Sequence, residues 1–320
     1  MVNIHNIHKV NSRDADSPAL YFKDDTVSYN QLEQNIQKYA SYFSGRGLKT
    51  GDRVALALPN CPEFIYSYFG ITRAGGVAVP LNLLQSPPEI AFMLNDSGSR
   101  FLITNEAIGR AFSQLPGQSL VPVIIDDKCR SEIAAAMPAH FPDGDPESVC
   151  TFLYTSGTIG LPKAAMLTHN NLIGNVKSMD DVSDFGPGDN FLAVLPMFHS
   201  FGWATSVLLP LYLGCSITIL DAFRPKEVMH VLSQKGITVF CGVPSMFAVL
   251  LKLRRQASFP ALKYAISGGD SISEEHMLAF EKTFNFPIIE GYGLSEASPV
   301  VSLNPLDGVR KIKSVGLPLS

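Results

Sequence analysis

Apolar residues in this chain recur in two rhythms, one helical and one suited to strands. Leu32, Ile36, Ala40 and Phe43 fall at helical spacing between Thr26 and Gly47 and predict an amphipathic helix. The run from Arg53 to Leu58, stopped by Pro59, reads as a buried strand. A helix is expected to start at Cys61-Pro62-Glu63, to carry Phe64, Ile65, Tyr68 and Phe69, and to end near Gly75 and Gly76. Strand from Val77 to Pro80, helix from Pro87, and strands from Arg100 to Thr104 and from Val121 to Ile125 continue the pattern. This β-α-β-α order implies a mostly parallel sheet with helices on both faces.

Residues 130–149, rich in Ala, Pro and Asp, read as a surface connection. A strand from Val149 to Tyr154 follows, and Thr168-His169-Asn170-Asn171 looks like a helix start with Asn capping. A second alternation then places strands at Asn190–Leu195, Ser216–Leu220, Val239–Gly242, Tyr264–Ser267 and Ile288–Glu290. Helices around Pro225–Lys235, Pro244–Arg255 and Ser273–Phe284 separate them. The expected fold is α/β, with two mostly parallel sheets flanked by helices and sub-regions at about 26–184 and 185–313.

Phe191 to Leu220 holds no Asp, Glu, Lys or Arg and is long enough to cross a bilayer. Pro196, His199, Gly202, Pro210 and Gly214 interrupt it, so strand, loop, helix and strand inside a globular fold explain it better. No transmembrane segment is expected. The net charge of -4 argues against a general nucleic-acid partner. The five cysteines are scattered and never spaced C-x-x-C, which reads as buried thiols in a reducing compartment. The first residues show no apolar signal core, so a cytoplasmic protein is expected, with peripheral membrane contact and oligomerisation left open.

Chemistry concentrates in three glycine-rich joints that follow predicted strands. They are Tyr154 to Lys163 (YTSGTIGLPK), Ser267 to Asp270 (SGGD) and Glu290 to Glu296 (EGYGLSE). Glycines and hydroxyls in a row let a backbone wrap phosphate oxygens. The first joint is not a P-loop, because Pro162 stands where that pattern needs glycine. Ligands of open parallel sheets sit beyond the carboxyl ends of strands, so three such joints can converge on one crevice.

This ordered set resembles the adenylate-forming superfamily of acyl-CoA synthetases, luciferases and peptide-synthetase adenylation domains, from about Thr26 to the last residue. The resemblance implies the N-terminal domain of an acid–thiol ligase of the fatty-acid–CoA ligase kind. Such an enzyme joins ATP and a carboxylic acid to an acyl-adenylate, with Mg²⁺, and passes the acyl group to CoA. It implies that Thr155, Ser156, Gly157, Thr158, Gly160 and Lys163 hold the triphosphate; a capped turn and a solvated lysine are the alternative readings. Glu296 would hold Mg²⁺, or else answer the dipole of a helix start. Ser295 would touch the α-phosphate. Tyr292, flanked by Gly291 and Gly293, would pack beside adenine, with Gly268 and Gly269 shaping its wall.

His199, in the motif PMFHSFGW, matches a loop that lies near the acyl carboxylate, and Trp203 falls where some relatives gate an acyl tunnel. A hydrogen-bonded core histidine and a plain core tryptophan are the competing assignments. Gly291 replaces the arginine of malonate-activating relatives. With Trp203, Phe201, Met246 and Phe247 nearby in motif terms, that favours a monocarboxylic acid with an apolar tail. Ile159 and Ala164 depart from the usual Thr and Gly, a loss worth about 0.5–1.5 kcal/mol for one neutral hydrogen bond. The chain stops before the relatives' terminal β-subdomain and C-terminal domain, and so before their ribose-binding Asp and adenylation lysine. A truncated enzyme is therefore expected. A non-catalytic nucleotide- or acyl-binding module, or an adenylation domain loading a carrier protein, are the alternatives.

Overall fold

A computed structural model describes residues 2–11, 14–112, 120–155, 161–253 and 258–320. Its first strands, β1 (Pro18–Phe22) and β2 (Asp25–Ser28), form a hairpin that the apolar pattern alone does not announce. Ser28 then caps the helix Tyr29–Gly45: its hydroxyl accepts from Gln31 N–H, and the Gln31 side chain accepts from Ser28 N–H.

Strands β3 (Arg53–Ala57), β4 (Val77–Pro80), β5 (Ser99–Thr104), β6 (Val121–Ile124), β7 (Val149–Thr155) and β8 (Lys163–Thr168) build a six-stranded sheet in the order β6-β5-β3-β4-β7-β8. All its pairings are parallel except β7 with β8. Strands β9 (Asn190–Ala193), β10 (Ser216–Ile219), β11 (Val239–Gly242), β12 (Tyr264–Ser267), β13 (Ile288–Gly293), β14 (Val300–Leu303) and β15 (Leu317–Pro318) form a second sheet with β1 and β2. Its nine strands run β15-β14-β13-β12-β11-β9-β10-β1-β2, parallel from β13 to β1 and antiparallel at both edges.

Neighbouring residues of one strand point to opposite faces, and the core divides accordingly. Val54 and Leu56 join one apolar cluster with Phe191 and Ala193 of the other sheet, so this cluster lies between the two sheets. Ala55 and Ala57 turn outward onto the helix Pro87–Asp96, while Leu192 and Phe240 turn outward onto the helices Pro225–Gln234 and Pro244–Lys252. Strands buried on both faces explain the nearly unbroken apolar runs.

Two segments differ from expectation. Within 130–149, the helix Asp127–Ala134 forms because Asp126 caps it at Cys129 N–H and Cys129 and Ile133 are buried. Its apolar face has only these two residues, too few for periodicity to show. The residues after Pro162, to which the sequence pattern assigns no element, form β8, paired antiparallel with β7 from Thr155 opposite Lys163 to Val149 opposite Thr168. The charge-free run is β9, a loop, the helical stretch Ser200–Leu213 and β10, and no described helix is long and apolar enough to cross a membrane. All five cysteines are free and buried.

Candidate active site

The glycine joints emerge at the carboxyl ends of β7, β12 and β13, and the His199 loop follows β9. β12 and β13 pair in parallel up to Ser267 opposite Glu290, so their exits lie side by side. Beneath them is a cavity of about 210 Å³, shaped by His199, Phe201, Gly268, Gly269, Tyr292 and Ser295 among others. A second cavity of about 250 Å³ reaches Thr155 at the end of β7, and it shares His199, Ser200 and Ser295 with the first. These three residues are the seam between an apolar chamber and a polar cleft.

Several groups hold the seam in place. Asn60 donates to the carbonyls of Leu195 (2.9 Å) and Leu220 (3.2 Å) and accepts from Met197 N–H (2.8 Å). It thereby ties the His199 loop to the turn after β3. Asn175 clasps the backbone of Val300 from both sides, donating to its carbonyl at 2.7 Å and accepting from its N–H at 3.1 Å. Glu290, buried, accepts from Ile272 N–H at 3.1 Å and so fixes the joint after β12 against β13. No motif flags Asn60 or Asn175, since their partners are backbone groups far away in sequence.

His199 caps the short helix Ser200–Trp203, its Nδ1 accepting from Phe201 N–H at 3.3 Å. A neutral ring that accepts at Nδ1 carries its proton on Nε2. The ring edge is open to the cavity, yet desolvation by the surrounding walls lowers its pKa and favours that neutral form. Gly202 allows the tight turn, because a Cβ there would stand 2.7 Å from Pro196 O.

The other expected residues divide into three groups. Gly268, Gly269, Gly291, Tyr292, Gly293, Ser295 and His199 all line the apolar chamber, and Thr155 lines the cleft. Lys163, exposed, stands opposite Thr155, the last pair of the β7–β8 ladder before the segment that connects the two strands. Ser156, Gly157, Thr158 and Gly160 lie outside the described residues, as does Ile159. Glu296 is exposed on the turn Ser295–Ala297 and borders a shallow depression with Asn170 and Asn175, apart from the described lining of both cavities.

Trp203 lies outside the chamber's described lining. It is 2% exposed and packs against Tyr68, Phe64 and Phe69, with ring centroids 4.3 to 5.8 Å away. Its side of the helix turns toward the inter-sheet core. Met246 is half-buried against that same cluster and does not line the chamber. The chamber's lining also includes residues that the sequence does not single out, among them Thr205, Leu209 and Cys241.

A family model described as AMP-binding enzyme matches residues 7–320. The chain belongs to this family. Among curated AMP-binding relatives, a long-chain-fatty-acid–CoA ligase of Bacillus subtilis is 28% identical over 96% of this chain and 62% of its own length. A feruloyl-CoA synthase of Amycolatopsis is 30% identical over 91% of the chain and 59% of its own. The chain thus spans about three fifths of the length of such relatives. Among solved structures, the N-terminal domain of FACL13 from Mycobacterium tuberculosis superposes with a TM-score of 0.89 at 27% identity, covering 100% of this chain and 83% of that one. ATP-bound MatB from Rhodopseudomonas palustris gives 0.88 at 25% identity, covering 100% and 65%.

Proposed function

We propose that the protein containing this chain activates a monocarboxylic acid with an apolar tail, using ATP, and transfers the acyl group to CoA. The observation that carries the reading is the meeting of three glycine-rich strand exits at one seam, His199–Ser200–Ser295. A polar cleft on one side suits phosphates, and a chamber without charged lining suits an uncharged tail. The relatives named as CoA ligases and synthases support acid activation as the class.

In this reading the acid's carboxylate oxygen attacks the α-phosphorus of ATP, and the bond to pyrophosphate breaks. The sulfur of CoA then attacks the acyl carbon, AMP leaves, and the thiol proton passes to solvent. Thr155, Lys163 and the joint between them hold the β- and γ-phosphates, Lys163 by charge and the joint by N–H and hydroxyl donors. Ser295 donates to the α-phosphate. His199 donates from Nε2 to the acid's carboxylate, orienting it for attack. Tyr292 packs beside the adenine between Gly291 and Gly293. Glu296, exposed on the turn after β13, would be the carboxylate to hold Mg²⁺, which would neutralise phosphate charge.

Two measurements test this. ATP with Mg²⁺ should raise the melting temperature of the 320-residue chain, and Lys163→Ala should shrink the shift. The whole protein should then show acid-dependent exchange of pyrophosphate into ATP. Exchange that proceeds without any acid, or no stabilisation at millimolar ATP, would count against the reading.

A further inference from the structure

The loop that carries His199 is gripped from the other sheet. Asn60 follows β3 of the six-stranded sheet, whereas Leu195, Met197 and Leu220 lie just past β9 and β10 of the nine-stranded one. The β9–β10 register ends at Ala193 opposite Ile219, with a further bond from Leu220 N–H to the Ala193 carbonyl at 3.1 Å. Past that rung, the carbonyls of Leu195 and Leu220 need donors from elsewhere. The Asn60 carboxamide, 5% exposed, supplies both, and its oxygen takes the Met197 N–H. One side chain thus stands in for the rung that the ladder lacks.

From Met197 the grip passes to His199 through a stiff turn. His199 N–H donates to the Pro196 carbonyl at 3.0 Å, and the Pro196 ring fixes its own φ. Gly202 packs against that same carbonyl oxygen. At the far end Trp203 N–H donates to the His199 carbonyl at 2.9 Å. The Trp203 ring is wedged against Phe64, Tyr68 and Phe69 of the helix Pro62–Arg73, which begins two residues after Asn60. Residues 60–69 therefore hold the loop at Met197 and again at Trp203, with His199 between the two holds.

Three bonds to backbone would steady any loop; this loop ends in a ring whose pose follows the backbone. His199 Nδ1 is tied to Phe201 N–H, two residues on, so a shift of the loop carries Nε2 with it. A reacting group displaced by about 1 Å can lose on the order of a hundredfold in rate.

We propose that Asn60 is a positioning residue for the acid: it acts through His199, setting Nε2 against the carboxylate, and takes no part in holding ATP. The inference rests on the acid-activation reading and adds to it a residue from outside both cavities.

The test has an enzymatic arm and a spectroscopic one. The whole protein is assayed for pyrophosphate exchange with acetate, hexanoate, dodecanoate and benzoate. With the best of these, Asn60→Ala should lower kcat/KM for the acid about tenfold to a hundredfold and leave the KM for ATP within about twofold. His199→Ala should lose as much, and the double variant no more than His199→Ala alone. In the 320-residue chain, proton NMR follows the His199 ring, assigned by its loss in His199→Gln. Burial holds that ring below the ordinary histidine pKa, and Asn60→Ala should move it back toward the ordinary value. Asn60→Ser, which keeps one hydroxyl donor, should fall between parent and Asn60→Ala, and it carries the same readouts should Asn60→Ala not fold. An unchanged His199 titration, equal losses for acid and ATP, or additive losses in the double variant overturns this inference and leaves acid activation standing. No exchange with any of the acids in the parent overturns both readings.

Discussion

The hydroxyls of Ser200 and Ser295 lie 2.9 Å apart, although 95 positions separate them in the chain. This bond joins the His199 loop to the turn after β13, and both residues border the chamber and the cleft. Either replacement by Ala should destabilise the fold by about 1 kcal/mol, because it leaves a partly buried hydroxyl unpaired. The double variant should cost less than the sum, as a urea double-mutant cycle would reveal. Ser295→Ala should also reduce ATP-induced stabilisation more than Ser200→Ala, since only Ser295 is assigned to the α-phosphate.

Trp203 gives a clean contrast between packing and gating. Its burial among Phe64, Tyr68 and Phe69 predicts that Trp203→Ala costs about 3–5 kcal/mol in chemical denaturation. Trp203→Phe should be milder, and the order of preference among acids should stay the same. A changed order would restore a gating role.

The two glycine joints should differ in tolerance. A Cβ on Gly293 would sit 2.3 Å from the Pro299 carbonyl oxygen, a backbone atom held by the β13–β14 pairing. A Cβ on Gly268 would meet the Phe201 ring at 3.0 Å, and a side chain can swing away. Gly293→Ala should therefore cost about 1–3 kcal/mol and lose most ATP-induced stabilisation. Gly268→Ala should unfold close to the parent and mainly impair ligand binding. Melting curves with and without ATP separate these outcomes.

Acid should weaken the seat of the N-terminal segment. The 3-10 turn Ile4–Lys9 packs His5 and His8 inward, and its Ile4 N–H donates to His169 Nδ1 at 3.1 Å. Burial holds His5 near a pKa of about 4, with Arg73 and His169 adding to the effect and Asp143 opposing it. Burial also lowers His169 to about 4, against Asp143 and Asp145. His8 is lowered by burial despite Glu33. As pH falls from 6.5 toward 4, the unfolded chain takes up protons that the folded chain refuses, so stability falls. Each of His5 and His169 should cost on the order of 2 kcal/mol by pH 5. Glu33 adds a loss only further down. Burial raises its pKa, yet hydrogen bonds from His8, Arg73 and Lys9 outweigh that and hold it well below the usual carboxylate range. Urea midpoints at pH 7, 6 and 5 should fall for the parent and fall less steeply in His169→Gln, where His5 and His8 still contribute. A flat parent profile would rule out the buried neutral imidazoles.

The parts of this fold that local rules govern were readable in advance. Val77–Pro80, Val239–Gly242 and Tyr264–Ser267 are strands with the expected ends, because short apolar runs stopped by Pro or Gly have few other uses. The start of the helix after Thr168 was readable too, although its cap is Thr168 rather than an Asn, with Asn171 completing the box. The hairpin β1–β2 was not, because β1 is held by pairing with β10, about two hundred residues away, and β2 only by β1. Among site residues, motifs led to the glycine joints, His199 and Ser295. For Trp203 the motif left gating and core packing both open, since its contacts with Phe64, Tyr68 and Phe69 come from a helix far away in sequence.

By itself the sequence determined the alternating α/β build, the three glycine joints and the uncharged surroundings of the His199 loop. Each depends on spacing or composition within a few residues. Only the tertiary structure decided that Ser200 meets Ser295, that Asn60 pins the His199 loop, and that Trp203 packs against Phe64, Tyr68 and Phe69. Those relations depend on the parallel order of distant strands and on where two sheets press together. Long-range pairing and burial, which no local pattern encodes, set them.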